Sequence, residues 1–262
     1  MAQTPPFIRI QNLTQFSDGQ DWRVRLFHSR PTSVLIWVGR GQGLVLLDGA
    51  RRGLGAHNAL FVPAGTPFAL DLARQTVLQA VIFAPGVPVD LPQTPQHLRI
   101  TEMTIQSELT ALIDAAAREA LAQRPLTEAA MAGHGALISV WLRRQALAQQ
   151  THKTRQTAAQ KLSRAFSALL AEQYTSGLAM AGYAAQLGVT PTHLTRAVKS
   201  AMGKTAAELI TERVLHEARR RLQETAAPGK DIAAALGFNS AAYFTRFIQQ
   251  HTGAPPSKLR AA

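Results

Sequence analysis

The sequence has no cysteine, which removes a disulfide frame, a thiolate metal site and a cysteine nucleophile from consideration. Acidic residues are scarce: 16 Asp and Glu face 28 Lys and Arg, a formal charge of +12 that favours a polyanionic partner. Long apolar runs are missing too, since nowhere do about 18 apolar residues follow one another, as a membrane-spanning helix requires. The start, MAQTPPFIRI, has no basic stretch leading into an apolar one, so a cytoplasmic protein with no membrane partner is expected. Paired carboxylates and a Ser-His-Asp set are absent. Asp48 and Asp71 have no obvious acidic partner, and the glycine-rich GRGQG at residues 39–43 is a turn between strands rather than a loop opening a helix. We therefore expect no enzyme, no catalytic residue and no cofactor.

What the chain does have is a repeat near its C-terminus: AAQLGVTPTHLTRAVKSAMG at residues 184–203 and AAALGFNSAAYFTRFIQQHTG at residues 233–253. Each copy runs Ala-x-x-x-Gly, a polar turn, then a helix with a Thr-Arg pair, the pattern of a helix-turn-helix unit. In the first copy Ala184 suits a helix crossing, Gly188 a tight turn, Thr190 an N-cap and Pro191 the first helical position. Leu194 and Val198 then pack inward, leaving Thr192, His193, Thr195, Arg196 and Lys199 on the outer face to meet bases and phosphates. The second copy has a turn one residue longer, with Asn239 or Ser240 as cap. Its Ala241 and Ala242 leave few long side chains at the start of the helix, so phosphate contact, thymine-methyl contact and DNA shape should matter more there, beside Thr245 and Arg246.

Residues 205–225 read as one helix with Ala207, Ile210, Val214, Ala218 and Leu222 along a stripe, and about 20 residues at 1.5 Å each approach the ~34 Å of one DNA turn. The neighbouring Arg219-Arg220-Arg221 run reads either as a solvated helix face or as a DNA contact.

With these residues in view, the region from Ala159 to Arg260 resembles the DNA-binding domain of AraC/XylS-type transcription regulators, most closely in DIAAALGFNSAAYFTRFIQQHTGAPPSKLR. The resemblance implies a seven-helix domain with two helix-turn-helix units on a linker helix, duplex DNA as partner, the first recognition helix dominating specificity, and activation through RNA polymerase. Ile248, Gln249 and Gln250 depart from the family's frequent basic residues after the second Thr-Arg.

Up to about His97 the chain alternates short β-rich runs (WRVRLF, SVLIWVG, GLVLLDG, ALFVPAG, TVLQAVIFA) with turn residues, indicating a sandwich or barrel. Residues 38–70 resemble the small cupin-type barrel with which AraC-like regulators sense a ligand. Metal is not expected, because Phe68 stands where a later metal-binding histidine would fall. A small organic effector fits better. The candidate effector residues are Arg23, Arg25, His28, Trp37, His57 and Phe68. Arg23 and Arg25 would share one face of a strand, or simply face water. His28 reads as a structural residue or a contact, and Trp37 as core or pocket wall.

From Glu102 to Gln150 the period becomes helical. Ile105, Leu109, Leu112, Ile113 and Ala116 form one stripe, and Leu137, Ile138, Trp141, Leu142 and Ala146 another after Arg124-Pro125. No heptad repeat long enough for an extended coil is evident, so a helical hairpin is expected. It either forms a homodimer, as in the resembling family, or serves as intrachain core. The fold class is α+β: a cupin-like effector-sensing β-barrel over 1–100, a hairpin over 101–150, a linker over 151–160 and an all-α DNA-binding domain over 161–262. Two other functions compete: a cupin-type enzyme with an accessory DNA-binding tail, and a sequence-indifferent architectural DNA binder.

Overall fold

The computed structural model describes residues 7–150 and 155–260. The chain start at residues 1–6 and residues 151–154 of the expected linker lie outside the described residues. The N-terminal part runs β1 (Ile8–Asn12), α1 (Leu13–Phe16), α2 (Trp22–Arg25), β2 (Ser33–Arg40), β3 (Gln42–Leu47), β4 (Ala50–Gly55), β5 (Asn58–Val62), β6 (Phe68–Leu72), β7 (Val77–Phe83) and β8 (Gln96–Arg99). Two antiparallel sheets result, one ordered β1-β7-β2-β5-β8 and the other β4-β3-β6. Side chains on a strand alternate faces, and here both faces of the larger sheet are covered. Val34, Ile36 and Val38 of β2 pack with Val45, Leu47, Leu54 and Phe68 of the smaller sheet. Leu35 and Trp37 point the other way, into a second core with Leu109, Ile113, Ile138 and Trp141. Burial on both sides is the reason β2 reads as an unbroken apolar run.

Those last residues belong to α3 (Met103–Ala122) and α4 (Thr127–Gln150), the expected hairpin. Leu109, Ile113, Ala116, Ile138, Trp141, Leu142 and Ala146 are all buried, so the two expected stripes serve the intrachain core. Leu137 is the exception at 54 % exposed.

One strand assignment is corrected. WRVRLF does not form a strand: it holds the one-turn helix α2, followed by a single bridge from His28 to Phe68. Its apolar residues have separate destinations, Val24 the space between the sheets, Phe27 and Leu26 the C-terminal helices. A regular strand cannot serve three cores at once. Arg23 and Arg25 therefore do not share a strand face.

The C-terminal helices are α5 (Ala158–Gln173), α6 (Met180–Gln186), α7 (Pro191–Met202), α8 (Ala206–Glu224), α9 (Gly229–Ala235), α10 (Ala241–Thr252) and α11 (Pro256–Arg260). They build two cores. Phe166, Tyr183, Ala184, Leu194 and Val198 close on Ala206 and Leu209 of α8, and Ile232, Ala233, Phe244, Ile248 and Leu259 close on its Leu215, Ala218 and Leu222. The helix between the two repeats is thus a shared spine. A capping box of Thr205 and Glu208 fixes where it starts.

Candidate nucleic-acid interface

The first repeat folds as its local chemistry requires. Thr190 Oγ1 accepts the His193 N–H at 3.2 Å and Pro191 opens α7, while Gly203 ends it at φ 75°. Between α6 and α7, Gly188 sits at φ 66°, a left-handed value that side chains resist. Leu194, Ala197 and Val198 are buried, so the opposite face projects outward: Thr192, His193, Arg196 and Lys199 are exposed and Thr195 is half-buried. Thr192, Thr195, Arg196 and Lys199 line one shallow surface depression with Met180 and Pro191. Among the described residues neither Arg196 nor Lys199 has an ion pair, and two acids of the next helix are committed elsewhere. The Glu208 carboxylate accepts the Thr205 N–H at the start of α8, and Glu212 pairs with Lys204 and accepts the Phe27 N–H.

The second repeat has the longer turn. Of its two cap candidates Ser240 does the work, accepting the Tyr243 N–H at 3.1 Å. Asn239, Ala241, Ala242, Thr245 and Arg246 are exposed over buried Phe244 and Ile248. Arg246 lies 6.0 Å from the Tyr243 ring centroid, at the outer limit of a cation–π contact. Gly237 has φ 76°, and a Cβ there would come within 2.5 Å of the Gly177 backbone nitrogen. This turn therefore excludes side chains both by conformation and by close approach.

The expected effector residues do not gather in one barrel cavity. Phe68 is buried in the core between the sheets, where apolar side chains fill the interior. Trp37 is buried against the hairpin, its Nε1–H donating to Thr110 at 3.2 Å. His57 is exposed in the turn after β4, with φ 60° and its ring 5.9 Å from that of Trp37. Arg25 pairs with Asp71 at 3.3 Å and lines a hollow of about 210 Å³ with Met202 and Lys204.

Arg23 and His28 instead join the N-terminal part to the spine helix α8. Arg23 donates to Glu224 at 2.6 Å, and the His28 ring stacks on that of His216 at 4.3 Å between centroids. Trp22 meets the edge of His216 and carries the Arg219 guanidinium at 4.3 Å. Arg220 and Arg221 are held by Glu217, so the triple-arginine run is an internal network rather than a solvated face.

Burial, then His216 and Arg30, pushes His28 well below its ordinary pKa; burial, then Arg213, lowers His216 to about 3. The hydrogen bonds agree with neutral rings. His28 Nδ1–H donates to the Leu26 carbonyl at 2.8 Å, and His216 Nε2–H to that of Arg23 at 3.3 Å, leaving the buried His216 Nδ1 without a partner. Burial works to raise Glu217, but hydrogen bonds from Arg220 and Arg221 outweigh it and hold the carboxyl at about 2.

This contact is invisible in local sequence pattern, because its partners stand nearly two hundred positions apart. Another missed feature was readable. Ala130, Gly133, Leu137, Val140, Arg144 and Leu147 follow heptad spacing along α4. All but half-buried Ala130 are exposed, Val140 at 40 % and Leu147 at 63 %. Among the described residues no group of three or more His, Asp or Glu is placed to hold a metal, and no helix is long and apolar enough to cross a membrane.

A family model described as a helix-turn-helix domain matches residues 183–262. The probable transcription factor PqrA of Proteus vulgaris is 36 % identical over 88 residues, 34 % of this chain and 72 % of that protein. Among solved structures, apo ToxT from Vibrio cholerae overlaps 97 % of this chain and 96 % of its own, at 12 % identity and a TM-score of 0.44. The C-terminal domain of AraT, a response regulator from Geobacillus stearothermophilus, overlaps 41 % of this chain and 88 % of its own, at 25 % identity and a TM-score of 0.37.

Proposed function

The chain belongs to the AraC-type helix-turn-helix transcription regulators, and from that premise we propose that it is an effector-responsive activator that reads two adjacent major grooves as a dimer. It is a DNA-binding transcription regulator and not an enzyme. The two-groove reading rests on one observation: two capped recognition helices, each with an exposed outer face, are held on a single 19-residue helix that is about 28 Å long at 1.5 Å per residue. One rigid spine sets the spacing between two readers. Residues 161–262 act as the DNA-binding unit, 151–160 as linker, 101–150 as hairpin and 1–100 as effector-sensing unit, in the cytoplasm and beside RNA polymerase.

Selection of bound duplexes from a random pool at fixed salt tests this directly, since the electrostatic background varies with salt. The expected outcome is a two-part motif with centres about 10 bp apart. No enrichment, by the whole chain or by the segment from Ala159 onward, would leave only an architectural binder. Within that motif Arg196→Ala should weaken specific binding by about 1–3 kcal/mol. An equal loss on every DNA sequence would make Arg196 a phosphate contact.

The dimer is assigned to the heptad-spaced face of α4 rather than to the stripes that fill the core. Leu137→Glu with Leu147→Glu should give a monomer in sedimentation with its melting temperature nearly unchanged, because both side chains are more than half exposed. A dimer surviving both substitutions would place the interface elsewhere.

A further inference from the structure

Where the effector binds is open, because the space between the sheets is filled with side chains. A different hollow has the makings of a site. It measures about 610 Å³ and lies where the N-terminal sheets, the end of α4, the linker and α5 meet. Volumes of that order accommodate small ligands. Its lining includes Arg52 of β4, Arg155 of the linker and Arg164 of α5, against a single acid, Asp48.

Asp48 is already engaged, accepting from Arg164 and, at 3.2 Å, from Gln156 Nε2. Among the described residues Arg52 and Arg155 have no ion pair, which leaves two guanidinium charges uncompensated in one hollow. Burial, then the charge of Arg52, lowers the pKa of His97 to about 4. His97 Nε2–H donates to Asn58 at 2.9 Å, so the ring stands neutral beside Arg52. Gln160 adds a further polar group, its oxygen accepting the Thr157 N–H at 2.9 Å and its NH₂ left for other partners.

Building on the effector-responsive reading, we propose that this junction hollow binds a small organic dianion, a dicarboxylate or a phosphate monoester, between Arg52 and Arg155. Guanidinium groups pair with either oxyanion. Arg52 belongs to the sheets and Arg155 to the segment leading into the DNA-binding helices. A dianion held by both binds the docked arrangement more tightly than a separated one, and that difference in affinity is what shifts a conformational equilibrium. The hollow is therefore both binding site and coupling point.

The test uses the full chain and four variants: Arg52→Gln, Arg155→Gln, their double, and Arg9→Gln as an exposed charge control on β1. Succinate and phenyl phosphate are the dianionic probes and succinamide the uncharged counterpart of succinate. At about 10 mM at least one dianion should raise the melting temperature by about 2–4 °C while succinamide does not, and whichever acts tells dicarboxylate from phosphate. Its Kd should weaken about tenfold or more in each cleft variant and stay unchanged in Arg9→Gln. No rise with either dianion, an equal rise with succinamide, or an undiminished rise in the double variant would overturn the site. Occupancy of a selected DNA duplex separates the two readings. A dianion that binds at Arg52 and Arg155 without altering DNA occupancy would keep the site and overturn the effector role. A small molecule that alters occupancy equally in the parent and the double variant would keep the effector role and overturn this location.

Discussion

Phe27→Ala should lower stability by about 3–5 kcal/mol, the range for removing a fully buried phenyl ring and leaving its cavity. Phe27 is 0 % exposed, yet its cluster is mostly foreign to it: Phe166, Tyr183, Leu194, Val198 and Leu209 belong to the first helix-turn-helix unit and its spine. The next residue back, Leu26, packs on the second unit's core, and the Phe27 N–H donates to Glu212 of α8 at 3.2 Å. The cavity would open between the N-terminal part and the DNA-binding helices, so the loss falls on their attachment. Calorimetry should then resolve two transitions where the parent shows one, each unit retaining its own core. A single transition displaced by less than about 1 kcal/mol would mean that neighbouring side chains close the space and that Phe27 is not the anchor.

Acid should loosen the same contact. In an unfolded chain His28 and His216 take up protons near their ordinary value of 6.5, whereas in the fold both stay neutral well below it. The unfolded or undocked state therefore binds more protons between pH 6.5 and about 3, and stability falls as pH falls through that window. At pH 5 the loss from His216 is about 2 kcal/mol, from 1.36 kcal/mol per unit, and His28 adds a loss of the same sign. Carboxylates do not compensate. Glu217, held at about 2, keeps its stabilising charge at pH 5 and loses it only as pH falls from 4.5 towards that value. Urea midpoints at pH 8 and pH 5 would measure the difference, and His216→Gln should remove its share. Equal stability at the two pH values would show that the stacked pair is not neutral in the fold.

The DNA-binding half was legible because its determinants are local. Thr190 and Pro191 begin a helix, Gly188 and Gly237 permit the turns, and Leu194 and Phe244 are buried at helical spacing, so the outward faces of α7 and α10 could be named in advance. The hairpin was equally legible from its period, although which stripe faces inward was not. Ile138 and Trp141 look no different in sequence from Leu137 and Val140, and only packing on β2 separates buried from exposed. WRVRLF misled because its apolar content fits a strand while its side chains go to three different cores.

The sequence by itself determined the helix caps, the repeat, the spine between its copies and the charged outer face of α7, all set by contacts within a few residues of one another. Only the tertiary structure decided that the inter-sheet space is filled, that His28 stacks on His216, that Phe27 is buried among the DNA-binding helices and that Arg52 and Arg155 share a hollow. The first depends on strands that are not neighbours in the chain, and the other three on pairs a hundred or more positions apart. Such pairs are brought together by tertiary packing, and no local period records them.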